Sequence, residues 1–182
     1  MRLKPLFLLI LVTFLFCTAV SITDQIRAAK LKKAESAWKY AGWQERADGF
    51  RNYVNTIYAQ AGLSGTQMDT DVFLKAMTGL YNLKAEGKLS DEKALITVID
   101  FSKPSVQKRL WVVDLQNRKL LYHTLVAHGR NTGENLAQHF SNDAQSNMSS
   151  LGFYVTGETY TGKHGLSLFI DGQEARFNSH AR

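Results

Sequence analysis

The chain has 182 residues with 22 basic and 16 acidic side chains, a formal net charge of +6 and a single cysteine. One cysteine excludes an internal disulfide and a cysteine-ligated zinc site. The mild basic excess suits an anionic polymer as partner without identifying one, and it marks no nucleic-acid patch.

Residues 1–21 read as a signal peptide: Arg2 and Lys4, the apolar run Leu6 to Phe16, then the small residues Cys17, Thr18, Ala19 and Ser21. The run is shorter than the roughly 20 residues that cross a bilayer as a helix, so the segment predicts a cleaved leader and no membrane span afterwards. Export to the periplasm or cell envelope follows. Lipid attachment at Cys17 is disfavoured, because the bulky Phe16 stands where a small residue is needed. Without the leader the chain keeps 20 basic and 16 acidic groups, no thiol, and enough length for one ordinary domain.

Residues 22–48 are charged and alanine-rich and predict a linker or loose helix, with Trp38, Tyr40 and Trp43 as aromatic residues that dock it. Lys30, Lys32 and Lys33 read as a solvated face. Residues 49–90 predict a helical segment. Phe50, Tyr53, Val54, Ile57, Tyr58 and Ala61 fall at three-and-four spacing before Gly62, and a second stripe of Phe73, Ala76, Met77, Leu80 and Tyr81 follows a cap at Asp69 or Thr70 and ends by Gly87.

From residue 91 to 182 the period changes to that of strands. Leu95 to Ile99 is β-branched and precedes a turn at Ser102 to Ser105. Leu110 to Leu115 and Leu120 to Ala127 predict a hairpin across Gln116 to Arg118, and Phe153 to Tyr160 with Leu166 to Ile170 predict another. In Leu110 to Leu115 both faces are largely apolar, which calls for cover on both sides. The long polar stretch Gly129 to Ser150 between the hairpins is expected to be functional or mobile. The expected fold class is α+β: a mainly β sandwich or barrel-like sheet preceded by two or three short helices.

The runs KRLWVVDLQNRKLLYHTLVAHGRNTGEN from Lys108 to Asn135 and SSLGFYVTGETYTGKHGLSL from Ser149 to Leu168, with ALITVIDFSKPS before them, resemble the amino-terminal part of the murein L,D-transpeptidase catalytic domain, a YkuD-like family. The resemblance implies peptidoglycan remodelling by acyl transfer. A cysteine thiolate attacks the stem-peptide carbonyl that joins the third residue to a terminal D-alanine, releases that D-alanine, and passes the acyl group to an amine. It also implies peptidoglycan stem peptides as partners and no cofactor. The family's histidine and cysteine belong to Ile-His-Gly and Gly-Cys segments beyond the matching runs, so the resemblance implies a chain truncated before them and inactive as written. No catalytic residue is assignable.

Candidates for the substrate cleft are His128, Gly129, Arg130 and Asn131 on one side of the polar stretch and Ser150 and Gly152 on the other. Arg130 is the first choice for a carboxylate contact, although a solvated loop whose glycines only serve the turn accounts equally well for His128 to Asn135. Gly152 reads first as a turn glycine. Ser150 has no supporting base pattern for a nucleophile. His123, His128, His139 and His164 match no metal-ligand spacing, so no metal is expected. Two alternatives to the enzyme reading stand: a noncatalytic peptidoglycan-binding envelope protein, and a nonfunctional fragment.

Overall fold

The computed structural model describes residues 22–37, 42–90, 94–163 and 165–179. The leader with Cys17, and Trp38, Tyr40 and His164, lie outside the described residues. The chain divides into two units, Met1–Thr56 and Ile57–Arg182. In the first, α1 spans residues 22–37, and α2, Trp43–Gln60, begins there and continues into the second. No described helix is long and apolar enough to cross a membrane.

Helix α2 starts at Trp43, six residues before the helical segment expected from residue 49 and within the stretch expected to be a linker or loose helix. Its first turn is held by polar contacts rather than apolar ones: the Gly42 amide donates to Glu45 Oε2 at 3.3 Å and the Arg46 amide to the Gly42 carbonyl at 2.8 Å. Trp43 at its start is 75% exposed, so its side chain does not serve as a buried docking anchor. The predicted stripe is the buried face, with Tyr53, Val54, Ile57 and Ala61 all buried. Gly62, at φ +70, ends the helix. A 3-10 turn at Leu63–Thr66, unforeseen from the pattern, then buries Leu63 completely.

Helix α3, Thr70–Ala85, is capped by Asp69, whose side chain accepts from the Asp71 and Val72 amides. At its other end the Gly87 amide donates to the Lys84 carbonyl and the Lys88 amide to the Leu83 carbonyl, both at 3.0 Å, with Gly87 at φ +70. This pair of bonds satisfies two of the carbonyls a helix end leaves free. Phe73, Met77, Gly79 and Leu83 are buried. Gly79 is a packing glycine, since a Cβ there would lie 2.1 Å from the Phe153 ring.

Strands β1, Leu95–Ile99, β2, Leu110–Asp114, and β3, Lys119–Thr124, form one antiparallel sheet in that order. Strands β4, Tyr154–Gly162, and β5, Gly165–Gly172, form a separate antiparallel hairpin. The class is α+β as expected, with no closed barrel among the described residues. Each predicted strand forms, with ends shifted by a few residues. The two faces of β2 are unequal: Trp111 and Val113 are fully buried, while Leu110 and Val112 are half-buried, so only one face reaches the core. In β4 no residue is fully buried, and Leu166, Leu168 and Phe169 of β5 are exposed. The short helix α4, Ala175–Asn178, follows.

The β2–β3 turn rests on Asp114. Its Oδ1 accepts the Asn117 amide at 2.9 Å and its Oδ2 accepts Asn117 Nδ2 at 2.8 Å, and Arg118 takes a left-handed φ of +50. The backbone bond from Asn117, then its side-chain bond, hold the Asp114 carboxyl below the usual carboxylate range. A depressed folded value gives stability that is present above the unfolded pKa of about 3.9 and lost as pH falls through the folded value. Urea midpoints are therefore expected to fall as pH drops below about 4. In Asp114→Asn the neutral-pH midpoint is expected to drop and part of that acid-side loss to disappear; an unchanged acid limb would contradict this role.

Candidate functional site

Arg109 is fully buried although it is charged. It stands on the same side of the strand run as Trp111 and Val113, because side chains two apart along extended chain share a face. Its Nη1 donates to the Lys103 carbonyl at 2.8 Å, and Nε and Nη2 donate to the Val126 carbonyl at 3.2 and 3.0 Å. Its Cζ lies 5.0 Å from the centre of the Phe101 ring. Burial pulls the guanidinium below its ordinary range, opposed by the charge of Asp100. Asp100 is itself buried and accepts from the Ser102 amide and hydroxyl at 3.0 and 2.6 Å.

The same guanidinium reaches His128. Arg109 Nη2 lies 2.8 Å from His128 Nδ1, and His128 Nε2 lies 3.0 Å from the Gly133 carbonyl. A guanidinium only donates and a carbonyl only accepts, so Nδ1 is the acceptor and Nε2 carries the proton. The Phe101 ring meets His128 edge-on at 6.4 Å and Phe140 at 5.9 Å. Phe140 thereby brings the middle of the polar stretch onto the end of the sheet.

Residues 129–150 form no strand and only one short 3-10 turn, Arg130–Thr132, yet they are closely cross-linked. The Gly129 amide donates to Ser149 Oγ at 2.9 Å, the Asn131 amide to the Asn147 carbonyl at 3.0 Å, and the Ser149 amide to Thr132 Oγ1 at 2.7 Å. The Gln138 and His139 amides both donate to the carbonyl of the fully buried Thr132. Gly129 lies against backbone: a Cβ there would be 2.5 Å from the Asn147 carbonyl oxygen. Of the two expectations for this stretch, mobility is not what the bonding describes. Several of its backbone polar groups are met within the loop itself and others by Ser105 and His128, which is how an irregular segment acquires a defined surface.

The candidate residues thus separate into three situations. His128 and Gly129 are built into the support. Arg130 is exposed, and no described residue hydrogen-bonds or pairs with its guanidinium, whereas Asn131 is exposed but spends Nδ2 on the Ser146 carbonyl at 2.8 Å. Ser150 is buried, with its hydroxyl bonded to the Tyr154 hydroxyl, which also donates to the Ser150 carbonyl at 3.2 Å. A hydroxyl so occupied is a structural tie and not an activated nucleophile. Gly152, at φ +111, sits in a different contact: a Cβ there would meet Glu174 Oε2 at 2.3 Å and Asn178 Nδ2 at 2.7 Å.

Those two side chains staple α4 to the start of β4. Glu174 Oε2 accepts the Phe153 amide at 2.8 Å, Asn178 Nδ2 donates to the Phe153 carbonyl at 2.9 Å, and Asn178 Oδ1 accepts the Glu174 amide at 2.8 Å. The loop's two ends are therefore joined, with Ser150 beside Ser149, while Gly152 belongs to the α4 staple. Arg109, Phe101, Thr132 and Ser149 were not among the sequence candidates. Arg109 alone carried a signal: its even spacing from Trp111 and Val113 places a charge on the buried face. Among the described residues no group of three or more His, Cys, Asp or Glu is placed to hold a metal ion.

A family model described as the L,D-transpeptidase catalytic domain matches residues 64–182. No curated protein and no solved structure gave a significant match to the chain.

Proposed function

Because the chain belongs to the L,D-transpeptidase catalytic-domain family, we propose that it acts in the cell envelope, where the 129–150 loop receives a peptidoglycan stem peptide and Arg130 meets that peptide's carboxylate. The family is one of peptidoglycan remodelling, and such a substrate ends in a carboxylate. The observation that supports the assignment of Arg130 is its exposed, unengaged guanidinium on a loop whose backbone is otherwise tied down. A fork of donors held ready on a rigid segment suits a carboxylate better than a solvated lysine would. The leader-like residues 1–21 supply the export that this location requires.

The polypeptide 22–182 contains no cysteine. Thioester formation needs a thiolate, so this segment contributes recognition and not the nucleophile. Calorimetric titration of residues 22–182 with a stem tetrapeptide is expected to show saturable binding, with D-alanine release at background. Arg130→Ala is expected to weaken binding about tenfold, as for loss of a charge-assisted hydrogen bond of about 1.5–3 kcal/mol partly offset by water. Absence of binding would overturn the proposal, as would an Arg130→Ala affinity equal to the parent's. D-alanine release would overturn the recognition-only assignment.

A further inference from the structure

We propose that Arg109, fully buried and out of reach of substrate, is the positioning residue of this site, acting through His128 to set the loop that presents Arg130. The inference rests on the stem-peptide reading above. Among the described residues Arg109 takes no carboxylate as a hydrogen-bond partner; its donors go to Lys103 and Val126 carbonyls and to His128 Nδ1. A cation desolvated at that cost and bonded to two separate segments, the turn at Lys103 and the stretch from Val126 to His128, fixes their relative placement. The contact that reaches the site is the one to Nδ1. It occupies the lone pair, leaves the proton on Nε2, and so aims that proton at the Gly133 carbonyl 3.0 Å away.

The consequence falls on the segment between His128 and Gly133, which carries Arg130. Its N-terminal end is fixed by His128 and by Gly129 against Ser149, and its C-terminal end by the Gly133 carbonyl and the buried Thr132. Gly133, at φ +150, brings the chain so near Leu136 that a Cβ would lie 2.1 Å from the Leu136 carbonyl oxygen, so the turn has little room to adjust. Arg109 therefore governs where the Arg130 side chain starts, without approaching the ligand.

The test compares affinity for a stem tetrapeptide with that for its C-terminal carboxamide. Loss of folded protein lowers the binding-competent fraction equally for both ligands, whereas a misplaced Arg130 removes the preference. The parent is expected to favour the carboxylate about tenfold. Arg109→Lys, which keeps charge but loses the fork, is expected to bring the ratio close to one. In a His128→Gln background, where the Nδ1 acceptor is gone, adding Arg109→Lys is expected to change the ratio no further. A parent-like ratio in Arg109→Lys, or losses that multiply in the double variant, would overturn the proposal. Nitrogen-15 shifts of His128 in the unaltered protein supply a readout independent of any variant: protonated Nε2 with bare Nδ1 is expected, and the opposite tautomer would overturn it. Should the unaltered protein bind neither peptide, the stem-peptide reading fails, and the tautomer shows whether the Arg109–His128 contact fails with it.

Discussion

Replacing Trp111 with alanine is expected to destabilise the protein by about 3–5 kcal/mol, the usual range for emptying a fully buried aromatic site. Trp111 is the largest of the completely buried side chains among the described residues. It belongs to the central strand of its sheet, where it faces Val98 on one neighbour and His123 on the other. Its ring stacks on His123 at 4.9 Å and 13°, and Nε1 donates to Thr66 Oγ1 at 2.9 Å. Thr66 Oγ1 in turn donates to the Leu63 carbonyl at 2.7 Å, so the indole ties the sheet to the 3-10 turn between α2 and α3. Two smaller changes separate the contributions. Trp111→Phe keeps most of the apolar volume and is expected to cost less than alanine, whereas Thr66→Val leaves a buried indole N–H without its acceptor and is expected to cost about 1–3 kcal/mol. Urea denaturation of the three variants measures this, and a Trp111→Ala loss below about 1 kcal/mol would show that the site collapses without penalty.

Gly152→Ala is expected to cost on the order of 3 kcal/mol, since positive-φ strain and overpacking each run about 1–3 kcal/mol. The backbone at φ +111 disfavours any side chain, and the new methyl would enter the space of Glu174 Oε2 and Asn178 Nδ2. Displacing Glu174 also frees the Phe153 amide, and displacing Asn178 leaves the Phe153 carbonyl with the Gln173 amide alone. Glu174→Ala removes one obstacle and keeps the strain. If crowding contributes as argued, Gly152→Ala should therefore cost less in the Glu174→Ala background than alone. Equal costs in both backgrounds would assign the whole effect to φ.

The recognisable parts of the fold were those governed by neighbours in the chain. Asp69 before an apolar stripe, Gly62 and Gly87 after one, and β-branched alternation over Leu95 to Ile99 are local signals, and helices and strands end close to them. The start of α2 was legible only as a linker or loose helix, because Glu45 and Gly42 stabilise it without a buried apolar stripe. The greater exposure of one face of β2 escaped because the sequence shows which side chains are apolar and not which of two apolar faces another element covers.

At the site the limit was distance along the chain. His128, Gly129 and Arg130 stood out as a glycine-bearing run after a strand, and Gly152 as a turn glycine, and the family resemblance gave them a shared purpose. Nothing local shows that Ser149 returns to Gly129, or that Ser150 spends its hydroxyl on Tyr154. Composition and order alone determined the α+β class, the hairpins, the family and the lack of a thiol in residues 22–182. The tertiary structure decided that the polar stretch is a cross-linked loop and that Arg109 is its buried support. Those outcomes depend on hydrogen bonds between residues 17 to 20 apart in the chain, which form only once the chain has folded back to bring both partners together.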